Sequence, residues 1–422
     1  MVEVISVLLG IGLILFFGAF AEFIFKKISI PDVLFLITLG FVIGPNVLGY
    51  IGPGSIARLA PIFTTFTLLF LLFDGAFNIH LSSLIREFSS SLILTLFNFI
   101  ISSVVISGIM MAMGYSFLVS LLVGFILGGT SSSFVIPILK QINISEKIYS
   151  LLTLESALTD VFCIVFSLTV IEIIRLGGFG FQSIFSQLAS LFAVAGLIGL
   201  LAGVVWIILV TKVFKEPHYM LTIAYLLLVY VLTEFLHGNG AIAALFFGLM
   251  LNNSKTLTSI LNGLKSYKIK ERRKALKGKQ GVSIITPSEA FFYHQISFFL
   301  KTFFFVYVGI LIDLSDIKAL MIGGVISLVL LLSRNSSRLL TRRMEPLHRN
   351  LIDAVFARGL AAAAITQLAI QAAVPHADFI AKVTYVVITG TIILSSIRVF
   401  FVKRKLQKPK PLKLTDKTKS TY

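Results

Sequence analysis

The residues best suited to chemistry fall in one short stretch, ESALTD from Glu155 to Asp160, set inside a long apolar run. A charged group within such a run is costly to hold away from water, so each is a functional candidate until a structural partner is found. At 100° per residue Ser156, Asp160 and Cys163 share one helix face, whereas Glu155 stands about 140° around the helix from Asp160. The two acids therefore face different partners. A lone carboxylate in an apolar interior can hold a proton or a desolvated monovalent cation but seldom both, and competition for it would couple two ionic fluxes. At a rise of 1.5 Å per residue Asp160 sits about 18 Å from the nearer end of its run, close to the middle of a ~30 Å hydrocarbon layer. Glu155 lies about 10 Å from the same end, and Arg334, on a run of opposite direction, matches that depth. A buried Glu155–Arg334 ion pair is expected, leaving Asp160 for exchange chemistry. Asp74 and Ser131 fall in the same half of the layer, within reach of a common cavity.

Positioning these groups requires helices that cross a membrane. With 57% hydrophobic residues, 13% charged residues and a mean hydropathy of +0.98, 422 residues cannot hide their apolar surface in one soluble core. About thirteen near-continuous apolar runs recur, each close to the length that spans a bilayer. Alternation with a period of two is absent from them, which excludes an outer-membrane barrel. The first run is long, begins at Glu3 and lacks a small-residue cleavage pattern, so it reads as a span and not as a removable leader. The fifth run, GFILGGTSSSFVIPILK, carries Gly128, Gly129, Thr130, Ser131, Ser132 and Ser133 at its centre, with Pro137 one turn on. Such an interruption exposes carbonyls and hydroxyls to an ion, or else serves close packing of helices through small residues. Cys163 is the single cysteine and reads as a small packed residue.

The formal net charge of +17 raises the question of nucleic acid, but the basic residues are distributed by topology. On alternate loops lie Lys26, Lys27, Arg86, Lys140, Lys147, Lys212, Lys215, a Lys-rich stretch from Lys255 to Lys279, Arg342, Arg343, Arg349 and the tail from Lys403. The opposite loops carry Arg58, Arg175, Lys318 and Lys382. The positive-inside rule then puts the N-terminus outside and the C-terminus in the cytoplasm, which needs an odd number of spans. Residues 1–402 are expected to form the membrane domain, with a basic cytoplasmic loop at 254–288 between its halves and a short basic tail at 403–422. Basic loops of this kind meet lipid headgroups, not nucleic acid, and no soluble nucleotide-binding domain is expected. Arg358, about 10 Å inside the twelfth run, is expected to pair with Asp353 or Asp74. Glu234 and Arg338 read as snorkelling or solvated residues near helix ends, and Asp313 and Asp316 as water-facing. A carrier for an anion would want basic groups at the midplane, and a membrane-embedded enzyme would want a metal cluster or paired catalytic groups at one depth. A quinone-linked proton pump would want midplane lysines, of which Lys301 alone lies deep in a run.

Several segments resemble the cation:proton antiporter superfamily, with its NhaP-like, NapA-like and potassium-efflux branches. PDVLFLITLGFVIGP (31–45), FTLLFLLFDGAFNI (66–79), FFFVYVGILIDLSDI (303–317) and ARGLAAAAITQLA (357–369) look like its second, third, tenth and twelfth helices, and ESALTD resembles the E-S-x-x-N-D signature of its sixth. The resemblance implies an all-α membrane fold of inverted repeats with two broken, crossing helices, working as a homodimer in the cytoplasmic membrane. It implies exchange of a monovalent cation, Na⁺ before K⁺ or Li⁺, for protons, with no cofactor. It also implies that Asp160 carries ion and proton with help from Ser156, Asp74, Thr130, Ser131 and the Thr159 position, while Glu155 and Arg334 form a structural pair. Thr159 stands where relatives have Asn, Asp or Gln, and Ser131 where some have Asp. Lacking an acid before Asp160, the chain is expected to exchange without net charge movement.

Overall fold

The computed structural model of the chain describes residues 12–21, 23, 31–50, 60–77, 81–142, 144–177, 181–214, 219–254 and 287–406, and contains no strand among them. Residues 255–286 of the basic loop and 407–422 of the tail lie outside the described residues. In chain order the helices are α1 (Gly12–Ala21), α2 (Asp32–Ile43), α3 (Ala60–Phe77), α4 (Leu81–Ala112), α5 (Phe117–Ile126), α6 (Ser132–Lys140), α7 (Glu146–Arg175) and α8 (Phe181–Ile208). They continue with α9 (Tyr219–Phe235), α10 (Gly240–Asn252), α11 (Pro287–Leu311), α12 (Ile317–Ser333), α13 (Pro346–Ala354), α14 (Leu360–Gln371) and α15 (Ala377–Leu406). Six helices are long and apolar enough to cross a membrane, and shorter apolar helices fill the remaining expected spans. The fifth and twelfth spans are each split in two, as α5/α6 and α13/α14.

The helices gather into two apolar clusters. The larger joins α4 to α7 with α12 to α15, and the smaller joins α8, α9 and α10 around Trp206, Phe247 and Tyr293. Helix α3 belongs to both, because Leu68, Leu72 and Ala76 recur at four-residue spacing on one face while Leu69, Phe70 and Phe73 occupy the other. Helix α11 does the same with Phe304 and Phe305 against Tyr293 and Leu300.

Helices α2 and α11 meet backbone to backbone. A Cβ placed on Gly40 would come within 1.9 Å of the Val306 carbonyl oxygen, and one on Gly309 within 2.1 Å of the Ile37 carbonyl oxygen. Lys301, solitary in the sequence reading, donates to Asp32 at the start of α2, with Nζ 2.5 Å from Oδ2. One turn earlier on α11 the Ser297 hydroxyl donates to Asp74 of α3 at 3.1 Å. Glu234 is exposed near the end of α9, as expected, and its carboxylate also accepts from the Gly240 backbone N–H at 2.8 Å, closing the α9–α10 turn. Asp313 and Asp316 lie in the water-facing turn before α12, as expected, and both also pair with Lys382, at 2.8 and 3.2 Å.

The glycine contact yields a direct test. Gly309→Ala forces α2 and α11 apart and should destabilise the detergent-solubilised protein by about 1–3 kcal/mol, measured as a lowered Tm. Gly324→Ala on α12, where an added Cβ meets nothing within 4 Å, should leave Tm unchanged or slightly raised.

Candidate functional site

Breaking a helix inside a membrane frees backbone N–H and C=O groups that lipid cannot satisfy. Gly128 and Gly129 end α5 and let it approach its neighbours. A Cβ on Gly129 would stand 2.6 Å from the Cys163 sulfur and 2.8 Å from the Thr159 carbonyl oxygen. The non-helical segment 127–131 then runs past the non-helical segment 355–359, and the Ser131 N–H donates to the Ala357 carbonyl at 2.8 Å. Gly359 is required at this crossing because a Cβ there would lie 2.0 Å from the Ser131 hydroxyl oxygen.

Side chains of α7 satisfy the first break. The Thr159 hydroxyl accepts from the Thr130 N–H at 3.0 Å and lies 3.3 Å from the Thr130 hydroxyl. The Cys163 sulfur accepts from the Gly129 N–H at 3.1 Å, a capping role that its reading as a packed apolar residue did not contain. Helix α15 serves the second break. Thr391 accepts from the Arg358 N–H at 3.0 Å, and the Ser395 hydroxyl donates to the Ala354 carbonyl at 2.6 Å. The pairing expected for Arg358 is overturned. Its guanidinium donates to the Gly129 carbonyl at 2.6 Å and to the Ser102 hydroxyl at 3.1 Å, because the carbonyls left over beyond α5 present a buried negative end there. Asp353 is held instead by Arg338, whose Nε lies 2.5 Å from its Oδ2.

Asp160 lies where α6 begins. Its Oδ2 accepts from the Ser132 N–H at 3.1 Å and from the Ser132 hydroxyl at 2.5 Å. The carboxylate thus faces the positive end of a half-helix, where an anion is favoured, and it remains partly accessible. The sequence places Ser132 in the interruption but does not mark it as the partner of Asp160, because three consecutive serines offer no spacing that singles one out. Asp74 is held by Ser297, and the Ser156 hydroxyl donates to the Thr153 carbonyl of its own helix at 3.0 Å. Thr130, Ser131, Thr159 and Asp160 are therefore brought together at the crossing, with Thr159 engaged as an anchor. No group of three or more His, Cys, Asp or Glu suited to a metal occurs among the described residues.

Glu155 points away, as rotation requires. Arg334 grips it bidentately at 2.5 and 2.9 Å, Asn98 donates to the same carboxylate at 2.9 Å, and Arg334 Nε also donates to the Ile352 carbonyl at 3.0 Å. The pair is buried, so removing one partner strands a charge. Glu155→Gln or Arg334→Gln alone should cost about 3–5 kcal/mol, and the double variant less than the sum. A thermal-unfolding double-mutant cycle with zero coupling energy would refute this role.

Comparisons with known proteins bear on the family and the fold. The K⁺/H⁺ antiporter NhaP2 of Shewanella oneidensis is 26% identical over 57% of this chain and 43% of its own length. The Na⁺/H⁺ antiporter 1 of Methanocaldococcus jannaschii is 30% identical over 46% of this chain and 46% of its own. The matched stretches thus span less than half of each relative. The solved structure of the sodium proton antiporter MjNhaP1 from Methanocaldococcus jannaschii at pH 8 superimposes with a TM-score of 0.73 at 21% identity, covering 94% of this chain and 100% of that one, so the two share a fold. Matching it over residues 12–405, the chain belongs to the sodium/hydrogen exchanger transmembrane family.

Proposed function

We propose that the chain exchanges one monovalent cation, Na⁺ before K⁺ or Li⁺, for one proton across the cytoplasmic membrane, with its N-terminus outside and its C-terminus in the cytoplasm. The observation that carries the reading is the Asp160 carboxylate, partly accessible and bonded to Ser132 at the mouth of a half-helix. Removing its hydration makes its two ligands, H⁺ and a desolvated cation, alternatives. The names of the relatives, one a sodium and one a potassium exchanger, support the substrate class. The one-sided distribution of Lys and Arg supports the orientation.

Charge balance follows from counting groups that change occupancy. Thr159 and Ser131 do not ionise, Glu155 is fixed by Arg334, and a guanidinium keeps its proton in proteins. Asp160 alternates alone, so a proton on one leg and a monovalent cation on the other move no net charge.

Asp160→Asn keeps the volume and removes the exchangeable charge. In acid-loaded proteoliposomes the wild type should release protons on addition of Na⁺, and more weakly K⁺ or Li⁺, while Asp160→Asn should give no release above protein-free vesicles at an unchanged Tm. Retained exchange in the variant would end the mechanism, and a preference for K⁺ would reverse the ion assignment. Wild-type exchange should fall at low pH, where protons fill Asp160, and at high pH, where few return. It should produce no current on a solid-supported membrane; a current proportional to transport would show that a second acid, Asp74 foremost, carries charge.

A further inference from the structure

A cavity of about 220 Å³ opens where the ends of α12, α13 and α15 meet, lined by Arg338, Asn350, Asp353, Arg398 and Phe401. That is room for a phosphate group. Its charge is one-sided. Two guanidiniums face one carboxylate, and that carboxylate is already bound by Arg338 Nε at 2.5 Å. The Arg338 side chain is nonetheless 52% exposed, so its terminal N–H groups remain open to the cavity. Arg398 is fixed by bonds from Nη1 to the Asp353 and Leu331 carbonyls at 2.9 and 3.4 Å and from Nη2 to Asn335 Oδ1 at 3.0 Å, which leaves two of its five donors, on Nε and Nη2.

Apolar surface adjoins the lining. Phe401 is exposed and lines the cavity, Leu332, Ile397 and Phe400 are exposed on α12 and α15, and the Arg404 guanidinium lies over the Phe400 ring at 4.5 Å. Further basic residues follow the lining residues along the chain, Arg342 and Arg343 after Arg338 and Lys403 and Arg404 after Phe401. A free anion needs the second feature only. A phospholipid needs both.

We propose that this cavity binds the phosphodiester of an anionic phospholipid, with the guanidiniums of Arg338 and Arg398 on its non-bridging oxygens, the Asn350 amide beside them and the acyl chains along α12 and α15. The site lies four residues beyond Arg334, so an occupied headgroup fastens the end of the bundle that also carries the Glu155–Arg334 pair. The proposal rests on the chain spanning a bilayer and is independent of the exchanged ion.

The test uses purified, delipidated protein in a neutral detergent. Thermal midpoints and native mass spectra are recorded with phosphatidylglycerol, phosphatidylcholine or inorganic phosphate for the wild type, Asn350→Gln and Asn350→Glu. Phosphatidylglycerol should raise the midpoint of the wild type and Asn350→Gln and remain bound in the spectra, whereas phosphatidylcholine should do neither. Asn350→Glu, which sets a carboxylate against both guanidiniums, should weaken phosphatidylglycerol about thirtyfold, the effect of two lost basic contacts. Equal retention of both lipids by the wild type would overturn the proposal without recourse to any variant. So would unchanged phosphatidylglycerol binding in Asn350→Glu. A midpoint shift reproduced in full by inorganic phosphate would make this an ion site and not a lipid site. Because no readout involves transport, failure here leaves the exchange mechanism standing, and failure of exchange leaves this site standing.

Discussion

Backbone amides and carbonyls released by two broken helices must find partners where no lipid can supply them, and the arrangement of the bundle follows from that demand. Thr159 and Cys163 on α7 serve one break, Thr391 and Ser395 on α15 serve the other, and the breaks bind each other through Ser131 and Ala357. The two long helices that flank the crossing are thus chosen by hydrogen-bonding capacity as much as by apolar surface. Both are strongly apolar, yet each places hydroxyl or thiol groups at the level of the break. Arg358 closes the account by donating into the first break from the second.

This economy gives Asp160 two tasks. It satisfies the N-terminus of α6, and it is the group proposed to exchange its load. A proton or cation arriving on the carboxylate weakens its attraction for the Ser132 N–H and hydroxyl, so occupancy is felt at the start of α6 and through Ser131 at the partner break. Glu155, five residues earlier, is insulated from this by a bidentate guanidinium and an amide. Two carboxylates on one helix are separated in role by rotation and by partner, not by distance along the chain.

Much of this was legible in the sequence. The spans, the interruption at Gly128–Ser131, the depth match of Glu155 with Arg334 and the rotation of Glu155 away from Asp160 follow from length, composition and helical geometry. The destination of Arg358 was not legible. Charge pairing was the natural expectation for a buried guanidinium, but the partner was a carbonyl that exists as an acceptor only because α5 ends early. Lys301 and Asp32 are 269 residues apart, and nothing local to either indicates that α2 and α11 lie in contact. Thr391 and Ser395 look like ordinary small polar residues of a membrane helix until the break beside them is seen.

The contact between α2 and α11 has a mechanical meaning. At Gly40 and Gly309 there is no layer of side chains between the helices to re-pack, and the Asp32–Lys301 bond pins the same seam further along. Sliding one helix past the other would drive backbone into backbone, so the pair behaves as a single beam. Helix α11 also reaches α14, where Tyr307 donates to Gln367 at 3.3 Å, a side-chain contact that a change of rotamer can release. The two seams of α11 thus differ in kind: backbone meets backbone against α2, whereas side chains make the contact against α14.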